Sequence, residues 1–338
     1  MMDFSGENPR RATLVVTLQR LGFWRIKMLF SELCEMYLAD KRDGRKSVRP
    51  NTYEGYESAI NRHLLPRWSQ VEVESVTYDA VQSWVDSFPE GKGAEKAYKT
   101  LRQMVRWAIS RRIVTMADPT IGVDVPKPRK RAATVLDDKQ LNRMLYACKG
   151  EPWEAVVWCQ ACLGLRRCEA VALTWADIDL RSGVMSISKG RHVVGGRVYV
   201  WGTKTPKSTR EVVLPRFAVE RLRAIKRERR ARNDELLCDL RPDAISRRFR
   251  SWCRRNGFKG LTMMQLRHSF ATIAVRAGLP IEVVAMMLGH SDITMCYERY
   301  VSRSVDVFRV NIKRFAELVL RAAPDTRLAK PHTPALVA

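Results

Sequence analysis

The chain has 338 residues, 46% of them hydrophobic, which is enough for two domains with real cores and excludes an intrinsically disordered polypeptide. Lysine and arginine number 60 against 36 acidic residues, and the resulting net charge of +24 points to a polyanionic partner, of which nucleic acid is the commonest. No run approaches the roughly 18 apolar residues of a membrane span, and the apolar run Leu14 to Leu18 is too short for a secretion signal, so a cytoplasmic protein with no membrane partner is expected.

Residues 1–26 form an extension that carries no assignable pattern. Residues 27–123 read as a bundle of four or five short helices. FSELCEMYLADK sets Phe30, Leu33, Met36 and Tyr37 on one face at helical spacing. The next helix opens after Pro50, with Asn51 or Thr52 as its expected cap. VTYDAVQSWVDSF and AEKAYKTLRQMVRWAISRRI follow, the second turning Leu101, Met104, Val105 and Ala108 inward. The basic faces of these helices suit phosphates, and equally suit plain solvation. Residues 124–133 contain PKPRKR, whose prolines and positive charges without apolar periodicity mark a linker.

A second domain spans residues 134–322. LDDKQLNRMLYAC is a capped amphipathic helix and PWEAVVWCQACLGL a more buried one. Short β-like runs come next: VMSIS, RVYVW and REVVLP, broken by Gly195-Gly196 and by KTPKST. RLRAIKRERRAR carries seven basic residues and one acidic, and reads either as a DNA contact or as an exposed helix. Helices then continue to about residue 320, and the proline-bearing stretch 323–338 reads as a flexible tail. Cys159 and Cys162 form a C-x-x-C followed by Cys168, but no second pair and no nearby histidine completes a metal site; buried free thiols are expected.

Four short stretches carry candidate chemistry. In GLRRCE, Gly164 ends a helix and Arg166 sits at the turn, placed by backbone, or simply exposed at a helix end. In GTKTPKSTREVVLP, Lys204 lies in a polar turn between β-like runs. In LTMMQLRHSFATIAVRAGLP, Thr262 caps a helix ended by Gly278, with Leu266, Phe270, Ile273 and Ala274 as its buried stripe. Arg267 lies near that buried side, where it needs an anionic partner, a carboxylate or a substrate phosphate. In LGHSDITMCYERY, Gly289-His290 makes a turn ahead of Tyr297 and Tyr300. A tyrosine nucleophile acting on a phosphodiester needs guanidinium groups for the developing charge and an acid for the leaving oxygen. The four stretches together hold that set.

In order and wording, GLRRCEAVALTWADID, TKTPKSTREVVLP, LRHSFAT and LGHSDIT with its downstream tyrosine resemble the boxes of the tyrosine recombinase (phage integrase) family, over roughly residues 30–322. The resemblance implies a helical, SAM-like core-binding domain and a mainly α catalytic domain with a small antiparallel β-sheet, closing as a C-shaped clamp on duplex DNA. It implies a site-specific recombinase or integrase that acts through a 3′-phosphotyrosyl intermediate and needs neither cofactor nor metal. Arg166 and Arg267 match the arginines that clamp the scissile phosphate, Lys204 the acid for the leaving 5′-oxygen, His290 a phosphate ligand, and Tyr300 the nucleophile. Glu169 matches a residue that orients the Arg166 box. The implied partners are duplex attachment sites, three further copies of the chain in a synaptic tetramer, and a DNA-bending accessory protein; free, the chain would be a monomer or weak oligomer.

The family's spacing fits Tyr300, ten residues beyond His290, rather than Tyr297, seven beyond. One departure stands out. The family reads H-x-x-R where this chain reads M-Q-L-R, so Met264 occupies the histidine position. His268 is next to Arg267 and points about 100° away on a helix, a poor substitute. Met264 therefore keeps open a second reading, a DNA-binding relative with a decayed site that acts as a regulator or accessory factor.

Overall fold

The computed structural model describes residues 27–44, 47–89, 93–126, 134–202 and 209–289. The chain divides into two compact units, and the division falls between Arg131 and Ala132. Among the described residues no helix is long and apolar enough to cross a membrane.

The first unit is helical: α1 (Phe30–Asp43), α2 (Pro50–Ala59), α3 (Leu65–Trp68), α4 (Tyr78–Asp86) and α5 (Ala94–Ser110). On α1, Phe30, Leu33 and Tyr37 are buried as their spacing predicts, while Met36 is only half-buried and Cys34 takes a core position. The four inward residues expected on α5 are all buried. The start of α2 differs from expectation. It begins at Pro50 itself, with Arg49 as the capping residue and no side-chain cap. Proline has no amide hydrogen to lose and a φ already set for the first helical position, so Asn51 and Thr52 lie inside the helix. Between α2 and α3 the chain makes a π turn over Ile60–Leu64, just ahead of Pro66, which cannot donate to a helical ladder. The core of this unit is aromatic at its centre: Trp68 packs 5.3 Å from Phe30 and 4.6 Å from Trp84, centroid to centroid.

The second unit is mixed. It comprises α6 (Asp138–Ala147), α7 (Glu154–Leu163), the short α8 (Arg167–Ala170), β1 (Val184–Ile187), β2 (Lys189–Val194), β3 (Arg197–Gly202), β4 (Arg210–Val213), α9 (Arg216–Glu228), α10 (Pro242–Arg255), α11 (Met263–Arg276) and α12 (Ile281–Leu288). Asp137 caps α6 through a reciprocal box with Gln140. Helix α7 is buried on nearly every side, and Cys159 lies wholly inside it. Burial pushes the Cys162 thiol up to about 12, so it behaves as an inert apolar side chain.

The strands form two antiparallel pairs. β1 pairs with β4, setting Ile187 opposite Arg210, and β2 pairs with β3 across the Gly195-Gly196 turn. Strand β2 is not marked in the sequence: it opens Lys-Gly-Arg-His, without the β-branched alternation that signals a strand, and the neighbouring β3 recruits it. The 221–232 stretch lies largely on α9, and part of it turns inward. Arg221 pairs with the buried Glu154 at 2.7 Å and with Glu228 at 3.0 Å, and Arg229 donates to three backbone carbonyls.

Two expectations for α11 need correction. Thr262 stands at the capping position but makes no side-chain cap bond. The buried face also differs: Leu266 and Ala274 are buried and Phe270 packs, partly buried, against the cluster that holds Ala274, but Ile273 is only half-buried, and Ala271 and Val275 join the core. The cause is α12, whose Val284, Ala285 and Leu288 close on the small residues Ala271 and Ala274 and widen the covered face beyond one stripe.

Candidate active site

Helix α7 ends at Gly164 in the left-handed conformation, φ +66°. A Cβ there would lie 2.4 Å from Phe270 and 2.6 Å from Leu288, so only glycine lets α11 and α12 approach this close. The turn delivers Arg166 to the capping position of α8, in extended conformation. Its amide donates to Glu169 at 2.9 Å, and its Nη1 donates to the same carboxylate at 2.8 Å. Its Nη2 donates to the Gly289 carbonyl at 2.7 Å. The Arg166 side chain remains 35% exposed, open enough to meet a ligand.

Arg267 reaches the same place from α11. It is buried, and Nη1 donates to the Gly164 carbonyl at 2.9 Å. One partner of this arginine is thus a backbone oxygen, where the sequence led us to look for a carboxylate or a phosphate. The LRHSFAT arginine is thus bonded to the turn that carries the GLRRCE arginine, two residues before it.

Sequence reading missed Arg210. It opens β4, is 8% exposed, and donates through Nη2 to Glu169 at 3.0 Å and through Nε to the Met287 carbonyl at 2.8 Å. Its signal was the arginine of STREVVLP, a charge at the head of an otherwise apolar strand. Glu169 is therefore held between two guanidiniums. Burial alone would raise its carboxyl; hydrogen bonding and charge from Arg210, then Arg166, outweigh burial and keep it below its ordinary value.

Helix α12 ends at Gly289, φ +65°, in a left-handed cap. Its last carbonyls, Met287 and Gly289, each accept from one of these arginines, a favourable placement of cations at a helix C-terminus. Met264 lies in the first turn of α11 and is 49% exposed. Lys204, His290, Tyr297 and Tyr300 lie outside the described residues, as do the extension 1–26 and the segment 290–338. Two described residues that flank them in sequence still converge: Arg210, six positions beyond Lys204, and Gly289, one before His290, both on the Arg166–Glu169 pair. Among the described residues no three histidine, cysteine or acidic side chains cluster as a metal site.

Comparison with known proteins gives the same outline. The family model described as "Phage integrase family" matches residues 134–306, and "Phage integrase, N-terminal SAM-like domain" matches residues 29–88. The tyrosine recombinase XerA of Saccharolobus solfataricus is 26% identical over 251 residues, covering 72% of this chain and 79% of its own. The integrase of transposon Tn1549, solved with transposon right-end DNA, superposes with a TM-score of 0.71 at 19% identity, covering 86% of this chain and all of that one. A lambda integrase tetramer bound to a Holliday junction superposes with a TM-score of 0.61 at 15% identity, covering 89% of this chain and 83% of that one.

Proposed function

The chain belongs to the phage integrase family and is a tyrosine-type site-specific DNA recombinase; from that premise we propose how its residues divide the chemistry. Arg166 and Arg267 hold the non-bridging oxygens of the scissile phosphate, and His290 adds a further hydrogen bond. The phenol oxygen of Tyr300 gives up its proton to solvent and attacks phosphorus, the bond to the 5′-oxygen breaks, and Lys204 supplies the proton that the leaving oxygen takes up. The DNA 3′-end stays linked to Tyr300 as a phosphodiester, so the reverse attack by a 5′-hydroxyl reseals the strand with no external energy source. Guanidinium and ammonium groups supply the charge stabilisation, so no metal or cofactor is assigned a role.

The observation that carries this reading is the bond from Arg267 to the Gly164 turn that delivers Arg166, with Glu169 fixing Arg166 and the end of α12 against it. We assign residues 27–123 as the core-binding domain and 134–322 as the catalytic domain, joined by the basic linker 124–133, with duplex DNA as the ligand of both. Four protomers would act on two attachment sites, as the lambda integrase tetramer on its junction suggests, with a DNA-bending protein as a further partner. The free chain would be a monomer or weak oligomer in the bacterial cytoplasm. Integration or excision of a phage or mobile element is the biological task that fits. The decayed-site alternative is not favoured by this arrangement, since Glu169 holds Arg166 and Arg267 is bonded to the turn that delivers it.

The test is covalent capture on a nicked duplex built from the repeats flanking the element that carries this gene. Tyr300→Phe should abolish the adduct and leave DNA affinity nearly unchanged, because affinity comes from many phosphate contacts. Adduct that persists in Tyr300→Phe and vanishes in Tyr297→Phe would move the nucleophile to Tyr297.

A further inference from the structure

Arg210 plays no part in the chemistry assigned above, yet its guanidinium is buried and committed to a carboxylate and a carbonyl of the site. Its side chain is 8% exposed. Both Nη atoms face the Glu169 carboxylate, at 3.0 Å and 3.4 Å, and Nε faces the Met287 carbonyl at 2.8 Å. A planar fork is needed for this: one edge takes a carboxylate while the Nε side takes a carbonyl at a different angle. A lysine could neutralise Glu169 but could not hold both.

We infer that Arg210 is a positioning residue for recombination, orienting Arg166 through their shared carboxylate and fixing the end of α12 from which His290 follows. Three observations carry this. First, Glu169 binds Arg166 with Oε1 at 2.8 Å and Arg210 with Oε2 at 3.0 Å, so the carboxylate plane, and with it Arg166, is set from both sides. Second, Arg210 and Arg166 hold carbonyls two residues apart, Met287 and Gly289, so the cap of α12 cannot rotate without breaking one of them. Third, a Cβ on Gly289 would lie 2.8 Å from Arg210 Nη1 and 3.3 Å from Arg166 Nη1, so both guanidiniums are packed directly against that cap. The strand pairing supplies the anchor: Arg210 opens β4 opposite Ile187, whose side chain is buried. This inference rests on the catalytic assignment of Arg166.

The experiment is single-turnover adduct formation by the full-length protein at saturating concentration on the nicked flanking-repeat duplex. It compares wild type, Arg210→Met, Arg210→Lys, Arg166→Lys and the double variant Arg166→Lys/Arg210→Met, with DNA affinity and melting temperature measured for each. Arg210→Met should slow adduct formation by about 30-fold or more, the scale of a misplaced reacting geometry, while DNA affinity changes by less than about threefold. Arg210→Lys should fall between it and wild type. In the Arg166→Lys background, Arg210→Met should slow the reaction by no more than a further factor of about three, because the two act through one carboxylate. If the two penalties multiply in full, or if Arg210→Met matches wild type while Arg166→Lys is slow, the inference is wrong. Should Arg210→Met fail to fold, Arg210→Lys decides: a wild-type rate in that folded variant overturns it. A wild-type rate in Arg166→Lys instead overturns the assignment of Arg166 itself, a separate outcome.

Discussion

Arg166 donates to the carbonyl oxygen of Gly289 at 2.7 Å, across 123 positions of sequence. That bond ties the arginine of the first catalytic stretch to the last described residue before His290. It also lays a positive charge on the C-terminal end of α12, where the helix presents unsatisfied carbonyls. Arg166 and the end of α12 are thus parts of one hydrogen-bonded cap, and Arg166 is not a separately placed side chain.

Gly289→Ala should break that cap. The residue has φ +65°, unfavourable for alanine, and the added methyl would meet Arg210 Nη1 at 2.8 Å and Arg166 Nη1 at 3.3 Å. The strain of the left-handed conformation is about 1–2 kcal/mol, a modest loss of stability. The loss of adduct formation should be much larger, on the order of 100-fold, because both guanidiniums must move. Thermal denaturation beside a single-turnover cleavage assay separates the two; a rate within twofold of wild type would show that the cap does not set the site.

Acid should act on the same cluster through Glu169. Its carboxyl is held below the ordinary value of 4.5 by Arg210 and Arg166 against the opposing effect of burial. A depressed carboxyl contributes stability that is full above its unfolded value and is lost as pH falls through the lower folded one. Glu169→Gln should therefore be destabilised at pH 7, by about 3 kcal/mol, since it leaves a buried guanidinium uncompensated. The gap to wild type should narrow only below about pH 4.5. Denaturant unfolding at pH 7, 5 and 3.5 reads this directly, and a gap independent of pH would mean that Glu169 contributes by shape alone.

Much of this was legible in the sequence where backbone constraint and residue type coincide. Gly164 announces a helix end, so Arg166 beside it reads as a placed residue; the burial of Arg267 follows from its neighbour Leu266 on a helical face. Asp137 and Gln140 announce a helix start. What stayed hidden depends on partners distant in sequence. Arg210 reads as one polar residue at a strand edge, and only the fold brings it to a carboxylate 41 positions earlier. Strand β2 lacks its own propensity and exists because β3 lies beside it. Ile273 has the spacing of a buried stripe, but which side of α11 is covered is decided by where α12 docks.

Binding to duplex DNA should weaken steeply with salt. A chain with net charge +24 that grips a duplex neutralises many phosphates and releases their counterions. With about 6 to 10 such contacts, affinity should fall by roughly 10³ to 10⁵ between about 50 and 200 mM salt. Part of the 221–232 stretch should contribute little, since Arg221 is committed to Glu154 and Arg229 to backbone carbonyls. A titration of log affinity against log salt gives the slope; a value near zero would contradict binding through many phosphates.

Met264 gives the sharpest division between a working recombinase and a decayed one. It occupies the position where the family carries histidine, three residues before Arg267, in the first turn of α11, and its side chain is 49% exposed. Methionine cannot donate to a phosphate oxygen. The exposure means that an imidazole would fit there without repacking, so Met264→His is a clean replacement. If Arg166, Arg267, Lys204 and His290 already supply most of the charge stabilisation, wild type forms adduct. Met264→His should then leave the rate unchanged or raise it by up to about tenfold, roughly 1.4 kcal/mol of barrier. The comparison is a cleavage assay of wild type, Met264→His and Tyr300→Phe on the same nicked flanking-repeat duplex. Adduct from wild type eliminates the decayed-site reading. Adduct from neither wild type nor Met264→His, with tight binding demonstrated, eliminates the catalytic one. The expected outcome is adduct from both, because Arg166 and Arg210 share the buried Glu169 carboxylate, at 2.8 Å and 3.0 Å, which holds the half-exposed Arg166 in place. A chain that only bound DNA would have no chemical use for a carboxylate that aims a half-exposed arginine.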